Sequence, residues 1–129
     1  MALHLSLRPG ERVILGGAVV RNGSARTRLV VENEVPILRE SDILRPGAVR
    51  TPCERVYLAI QLAYVDPGEA PQHLASYRAL ADQVLRAAPS CREWIIVMDA
   101  QVEAGELYRA LKSARALISW EKERLEHVA

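Results

Sequence analysis

Phenylalanine is absent from these 129 residues, aromatics make up only 5% of them, and before Tyr57 the one ring is the imidazole of His4. That scarcity excludes the mode in which sheet-borne aromatics stack unpaired bases. Whatever the first fifty residues bind must be held by arginines, main-chain groups and hydrogen bonds. Cysteine is equally sparse: Cys53 and Cys91 lie far apart and form no C-x-x-C pair, so neither a disulfide framework nor a zinc knuckle is signalled, and buried reduced thiols are expected. His4, His73 and His127 are scattered, with no two at helical ligand spacing. No metal and no cofactor is therefore expected. There is no apolar run of about 18 residues and no basic segment leading into an apolar one, which places the chain in the cytoplasm and away from membranes. Nucleophile elbow, phosphate loop and H-E-x-x-H are missing. Gly16-Gly17 falls between strand patterns rather than opening a helix, and no enzyme is expected.

Charge is what the chain distributes unevenly. Net charge is +1 overall, but residues 1–50 carry eight arginines against five acids, while residues 51–129 carry nine basic and eleven acidic residues. Fifteen of the 17 basic residues are arginine, whose planar fork suits phosphate and base edges.

Leu3, Leu5 and Leu7 alternate with His4, Ser6 and Arg8, a period of two that predicts a strand with the leucines on one face. Pro9-Gly10 supplies a turn, Arg12 to Leu15 a second strand, Gly16-Gly17 a two-residue hairpin and Ala18 to Arg21 a third strand. Asn22-Gly23 turns again. Thr27 to Glu32 reads as a fourth strand, and Pro36 to Glu40 as a fifth whose proline suits an edge or a strand start. Five short strands so tightly connected imply an antiparallel meander or small barrel. Arg8, Arg21, Arg26, Arg28 and Arg39 all lie on or beside these strands, where one sheet could gather them into a basic patch.

From Ser41 the pattern changes: Asp42 to Gly47 reads as a linker with a turn, the lobe boundary falls near residue 50, and helical patterning follows. Thr51-Pro52-Cys53-Glu54 forms a capping box with proline at the first helical position, opening a mostly apolar helix to about Val65. A second, amphipathic helix is expected over roughly Pro71 to Ala88, a third behind a capping box at Ser90-Cys91-Arg92-Glu93, and a last one from Glu106 to about His127. Glu121, Glu123 and Glu126 read as its solvated face. The expected class is α+β: a small antiparallel five-stranded β-sheet or barrel over residues 1–50, then a bundle of three to four helices over residues 51–129 serving oligomerisation or partner docking.

Four pieces carry a resemblance: Met1 to Gly23 (MALHLSLRPGERVILGGAVVRNG), Val31 to Leu44 (VENEVPILRESDIL), Thr51 to Pro67 (TPCERVYLAIQLAYVDP) and Gly105 to Lys112 (GELYRALK). In this order they resemble the FlbT family of flagellin post-transcriptional regulators. The resemblance implies a protein that associates with the 5′ untranslated region of flagellin messenger RNA and alters its translation or decay. It also implies flagellin and the companion protein FlaF as candidate protein partners.

The β half alone resembles the carbon storage regulator CsrA, through Leu5 to Gly16 (LSLRPGERVILG) and Pro36 to Glu40 (PILRE). That resemblance implies a homodimer and an RNA contact where the first strand meets the last. Matched by position, Leu5, Ser6, Leu7 and Arg8 would supply the first-strand element and Leu38 and Arg39 the last, with Arg21 and Arg28 adding charge. Leu7 stands where CsrA has the first of two arginines, and the helical half far exceeds CsrA's single helix. On this reading Arg8 and Arg39 lie on neighbouring strands, and Arg39 is an exposed contact whose loss leaves stability nearly unchanged.

Overall fold

The structure, a computed structural model, describes residues 2–128, with side chains to Glu126. The chain divides into two compact units, one ending at Ile43 and one beginning at Leu44.

The first unit holds five strands: β1 (Leu3–Leu7), β2 (Arg12–Leu15), β3 (Ala18–Arg21), β4 (Thr27–Val31) and β5 (Ile37–Arg39). They form two antiparallel sheets, β1–β4 and β3–β2–β5, and among the described residues no barrel closes. A meander would pair β1 with β2; the turn at Arg8-Pro9-Gly10-Glu11 prevents it. Glu11 donates its N–H to the carbonyl of Arg8 (3.1 Å), with Gly10 at φ +72°, while Gly10 N–H is drawn to the carbonyl of Gly23 (2.9 Å). Proline at the second position and a glycine at positive φ at the third suit a type II turn, and here it carries the chain from one sheet to the other. Gly16 and Gly17 make the true hairpin, at φ +57° and +91°, as a two-residue turn of the primed type requires. Pro36 precedes β5 at the sheet edge, as its missing N–H favours.

Leu5, Leu7 and Val13 form the buried centre between the sheets, with Leu15, Val20, Leu29, Val31 and Ile37 packed against them. Leu3 departs from the expected leucine face: paired with Val31 at the end of the ladder, it is half-exposed. A 43-residue unit has little core to spare.

The second unit is an all-helical bundle: α1 (Pro52–Val65), α2 (Ala70–Ala87), α3 (Arg92–Glu103) and α4 (Leu107–Val128). Helix α1 packs on α2 and α4, and α3 on α4. Its N-terminus is the expected capping box, Thr51 Oγ1 accepting from Glu54 N–H (3.2 Å) and Glu54 Oε1 from Thr51 N–H (3.0 Å). Gln61, buried on α1, is satisfied in both directions by the main chain of Leu44 (2.8 and 3.0 Å). Gly105, at φ +75°, ends α3.

Two helix-end expectations need correction. Ser90 caps nothing: Pro89–Cys91 is a 3₁₀ turn, α3 starts behind Cys91 without a side-chain cap, and Ser90 Oγ instead accepts from Arg124 Nη1 (3.0 Å). The proline three residues before Arg92 favours that tight turn. Glu121 is not part of a solvated face either, since its Oε2 accepts the N–H of Cys53 (3.2 Å) at the start of α1, where a carboxylate meets the positive end of the helix dipole.

Candidate nucleic-acid interface

The two segments that resemble an RNA-contacting pair meet within one chain, and the residue that joins them is Glu11. Its carboxylate is buried behind the turn after β1. Oε1 accepts the N–H of Arg8 (2.9 Å) and lies 3.6 Å from the Arg8 guanidinium; Oε2 accepts from Arg39 Nη2 (3.1 Å). The same Nη2 donates to the carbonyl of Ser6 on β1 (2.6 Å). Arg39 thus ties β5, in one sheet, to β1, in the other. The Arg8 N–H, followed by the Arg39 guanidinium, holds the Glu11 carboxyl below its ordinary value against the opposing effect of burial.

Neighbouring bonds stiffen the same corner. Asn22 Nδ2 donates to the carbonyls of Leu7 (3.2 Å), Arg8 (2.8 Å) and Ala25 (3.0 Å), and Glu40 Oε1 accepts the N–H of Arg12 (3.1 Å). The expectation that Arg8 and Arg39 occupy neighbouring strands is replaced by a different closeness. Arg8 follows β1 and Arg39 ends β5 in the other sheet, and they converge on one carboxylate.

The remaining candidates are dispersed by strand alternation. Leu5 and Leu7 are core, and Leu38 is fully buried beside Ile14 on the opposite face of its sheet, so these three side chains are enclosed. Ser6 pairs with Arg28 on the outer face of β1–β4, where both are exposed. Arg21 pairs with Arg12 on β3–β2, on the face turned away from the core formed by Val13 and Val20. Arg26 is exposed in the loop before β4. One sheet therefore does not collect the arginines into one patch: Arg28 lies on the outside of one sheet, Arg21 on the outside of the other, and Arg39 on the inner face opposite Val13. Arg8, its side chain 69% exposed, is the best-presented cation at the corner.

Glu11 and Asn22 are the residues that sequence reasoning passed over. The signal was local: a carboxylate three residues after Arg8, across a proline-glycine turn, can reach back to that residue's N–H.

The helical unit offers clefts, and its two cysteines are buried. The cleft beside the α1 N-terminus, about 390 Å³, is lined by Cys53, Val84, Trp120, Glu121 and Arg124 among others. Burial, and for Cys53 also the Glu121 carboxylate, pushes the thiols of Cys53 and Cys91 upward, which leaves them protonated and unreactive. Among the described residues no group of three or more His, Cys, Asp or Glu could hold a metal ion, and no helix is long and apolar enough to cross a membrane.

The geometry defines a two-unit α+β protein, a two-sheet β unit pinned by an arginine–glutamate clasp joined to a four-helix unit. Comparison with known proteins narrows the class. Residues 3–125 match the family described as Flagellar protein FlbT, and the chain belongs to that family. It is 45% identical over 123 residues to the Probable flagellum biosynthesis repressor protein FlbT 1 of Bradyrhizobium diazoefficiens, covering 95% of this chain and 84% of that one. It is 37% identical over 131 residues to the Flagellum biosynthesis repressor protein FlbT of Caulobacter vibrioides, covering 100% and 93%. With the Probable flagellum biosynthesis repressor protein FlbT of Rhodopseudomonas palustris the identity is 36% over 125 residues, covering 97% and 98%. No solved structure matches the chain.

Proposed function

We propose that this protein is a regulator of flagellum biosynthesis that acts after transcription, associating through its β unit with the 5′ untranslated region of flagellin messenger RNA and altering its translation or decay. The relatives named as flagellum biosynthesis repressors support the regulatory part. The observation that carries the RNA part is the clasp corner, where the exposed Arg8 stands on a backbone pinned by Glu11, Arg39 and Asn22. A cation fixed by its own main chain loses little conformational freedom on meeting a phosphate. With no base-stacking ring in this unit, contacts are to phosphates and main-chain edges, and affinity is strongly salt-dependent. Titrating a flagellin leader RNA at several salt concentrations should give a log–log slope of about −0.7 per phosphate neutralised on a single strand. Arg8→Ala should lower that slope by about one contact. Absence of binding at low salt defeats the reading.

A second reading is an adaptor that holds flagellin or FlaF and affects the messenger indirectly. The exposed apolar residues of α3 favour it. Co-purification with flagellin that survives Arg8→Ala and Arg28→Ala, together with no RNA binding, would decide for it.

A further inference from the structure

We propose that the cleft beside the N-terminus of α1 binds a small apolar carboxylic acid, an aliphatic chain ending in one carboxylate. The cleft holds about 390 Å³, within the range of small-ligand sites. Its walls come from three helix ends of one compact unit: Cys53 in the first turn of α1, Val84 and Ala87 in the last turn of α2, and Trp120 and Leu125 toward the end of α4. Cys53 and Val84 are buried, whereas Leu125 is 56% exposed, an apolar wall that a bound chain would cover.

The charged groups in the same lining decide the charge of the occupant. Arg50 and Arg124 both line the cleft, and both are exposed. Among the described residues neither meets a carboxylate. Arg50 Nη1 donates to the main-chain carbonyls of Gly47 (2.7 Å) and Val49 (3.3 Å), and Arg124 Nη1 to Ser90 Oγ (3.0 Å). By contrast Arg78, Arg86 and Arg109, elsewhere on the helices, each pair with an acid. Arg124 also lies over the Trp120 ring, 5.3 Å from its centroid. Held by a hydroxyl and an indole face, its guanidinium is placed before any ligand arrives, with most of its five N–H groups uncommitted.

Glu121 is the one acid in this lining. Its Oε2 already accepts the Cys53 N–H (3.2 Å) at the positive end of α1, so its charge is compensated and the two guanidinium groups are not. An adjoining cleft of about 290 Å³ shares Thr51, Glu121 and Leu125 but adds Glu54 and Glu126 against Lys122, and repels the same anion. Apolar walls beside two uncompensated arginines select a ligand with both features. A carboxylate takes two N–H groups of one guanidinium side by side, while its chain covers the apolar surface. Inorganic phosphate would match the arginines and leave the walls wet; a neutral chain would match the walls and leave the arginines unused.

Octanoate titrated into the full chain, below its micelle concentration and followed by two-dimensional NMR, tests this without RNA, so its outcome is separate from the RNA reading. The indole N–H resonance of Trp120 should shift and saturate, while that of Trp94, on α3, stays in place. Octanol and octyltrimethylammonium, which share the chain but not the anion, should bind about tenfold more weakly, the loss expected when a charge-assisted hydrogen bond is missing. Arg50→Gln and Arg124→Gln should each weaken octanoate severalfold and leave octanol unchanged. Ala87→Phe, at an exposed position on the wall, should block the acid with helical content and melting temperature unchanged. Arg78→Gln should change nothing. A Trp120 resonance unmoved by octanoate, even where a peptide with an apolar last residue and a free C-terminal carboxylate moves it, would overturn the proposal. So would octanol binding as tightly as octanoate, or an affinity indifferent to both Arg50→Gln and Arg124→Gln.

Discussion

At the scale of single residues, the sharpest consequence concerns Arg39. Sequence pattern made it an exposed contact, but its guanidinium is held by Ser6 and Glu11 across two sheets, so Arg39→Ala should cost about 1 to 3 kcal/mol of stability, the range for charged hydrogen bonds that leave a buried partner behind. Urea unfolding followed by far-UV circular dichroism measures it; Arg39→Lys should recover part of the loss, because an ammonium can reach one acceptor but lacks the planar fork. Glu11 sets a pH dependence. Its carboxyl is held below the ordinary value in the folded chain, so the unfolded state binds the proton first as pH falls. The stability it contributes is fully present above its unfolded value, about 4.3, and is lost as pH drops through the lower folded one. The gap in melting temperature between wild type and Glu11→Gln should therefore be constant from pH 7 to about 5 and close below about 4. Cys53 and Cys91 predict silence: with both thiols buried and pushed upward, a thiol reagent should react with neither in the folded chain and with both in denaturant.

At the scale of elements, most starts and stops followed from local chemistry. The Thr51–Glu54 capping box places the start of α1 at Pro52, and Thr51→Ala should destabilise the helical unit by about 1 kcal/mol, read as a shifted urea midpoint at unchanged slope. Gly16-Gly17 makes the β2–β3 hairpin for the reason expected, two positive φ angles in succession. Ser90 shows where local reading fails. Its spacing to Glu93 satisfies the capping pattern, but Pro89 favours a 3₁₀ turn ahead of the helix and frees the hydroxyl for Arg124. Glu121 fails for the complementary reason: nothing within α4 announces that the N-terminus of α1, 68 residues earlier, lies against it.

For the whole molecule, the two halves take form as two units of different architecture, and because the division falls after Ile43, Arg45 and Arg50 pass to the helical unit and the charge difference nearly vanishes: six arginines against five acids up to Ile43. The β unit carries no Phe, Tyr or Trp, so any RNA contact made there would rest on arginines and main-chain groups. The helical unit holds most of the buried side chains and the exposed Trp94, Ile96 and Val97 of α3. If RNA is read by the β unit, binding of a flagellin leader should respond to Arg8→Ala and Arg28→Ala and be indifferent to Val97→Glu on α3, which a filter-binding titration would show.

Sequence alone determined the kinds of element and most of their boundaries, because alternation, capping residues and turn residues act over a few neighbours. It determined the helical bundle and the five strands, and it singled out the two segments around Arg8 and Arg39. Tertiary structure decided what those segments do to each other. Period-two patterning says which side chains share a face of one strand, but not which strands pair, and pairing β1 with β4 rather than β2 is what sends Arg28 and Arg21 to opposite outsides and turns Arg39 inward. The Glu11 clasp arises only from that pairing, since its partners are brought together across 28 residues of chain by two sheets closing over Leu5, Leu7 and Val13.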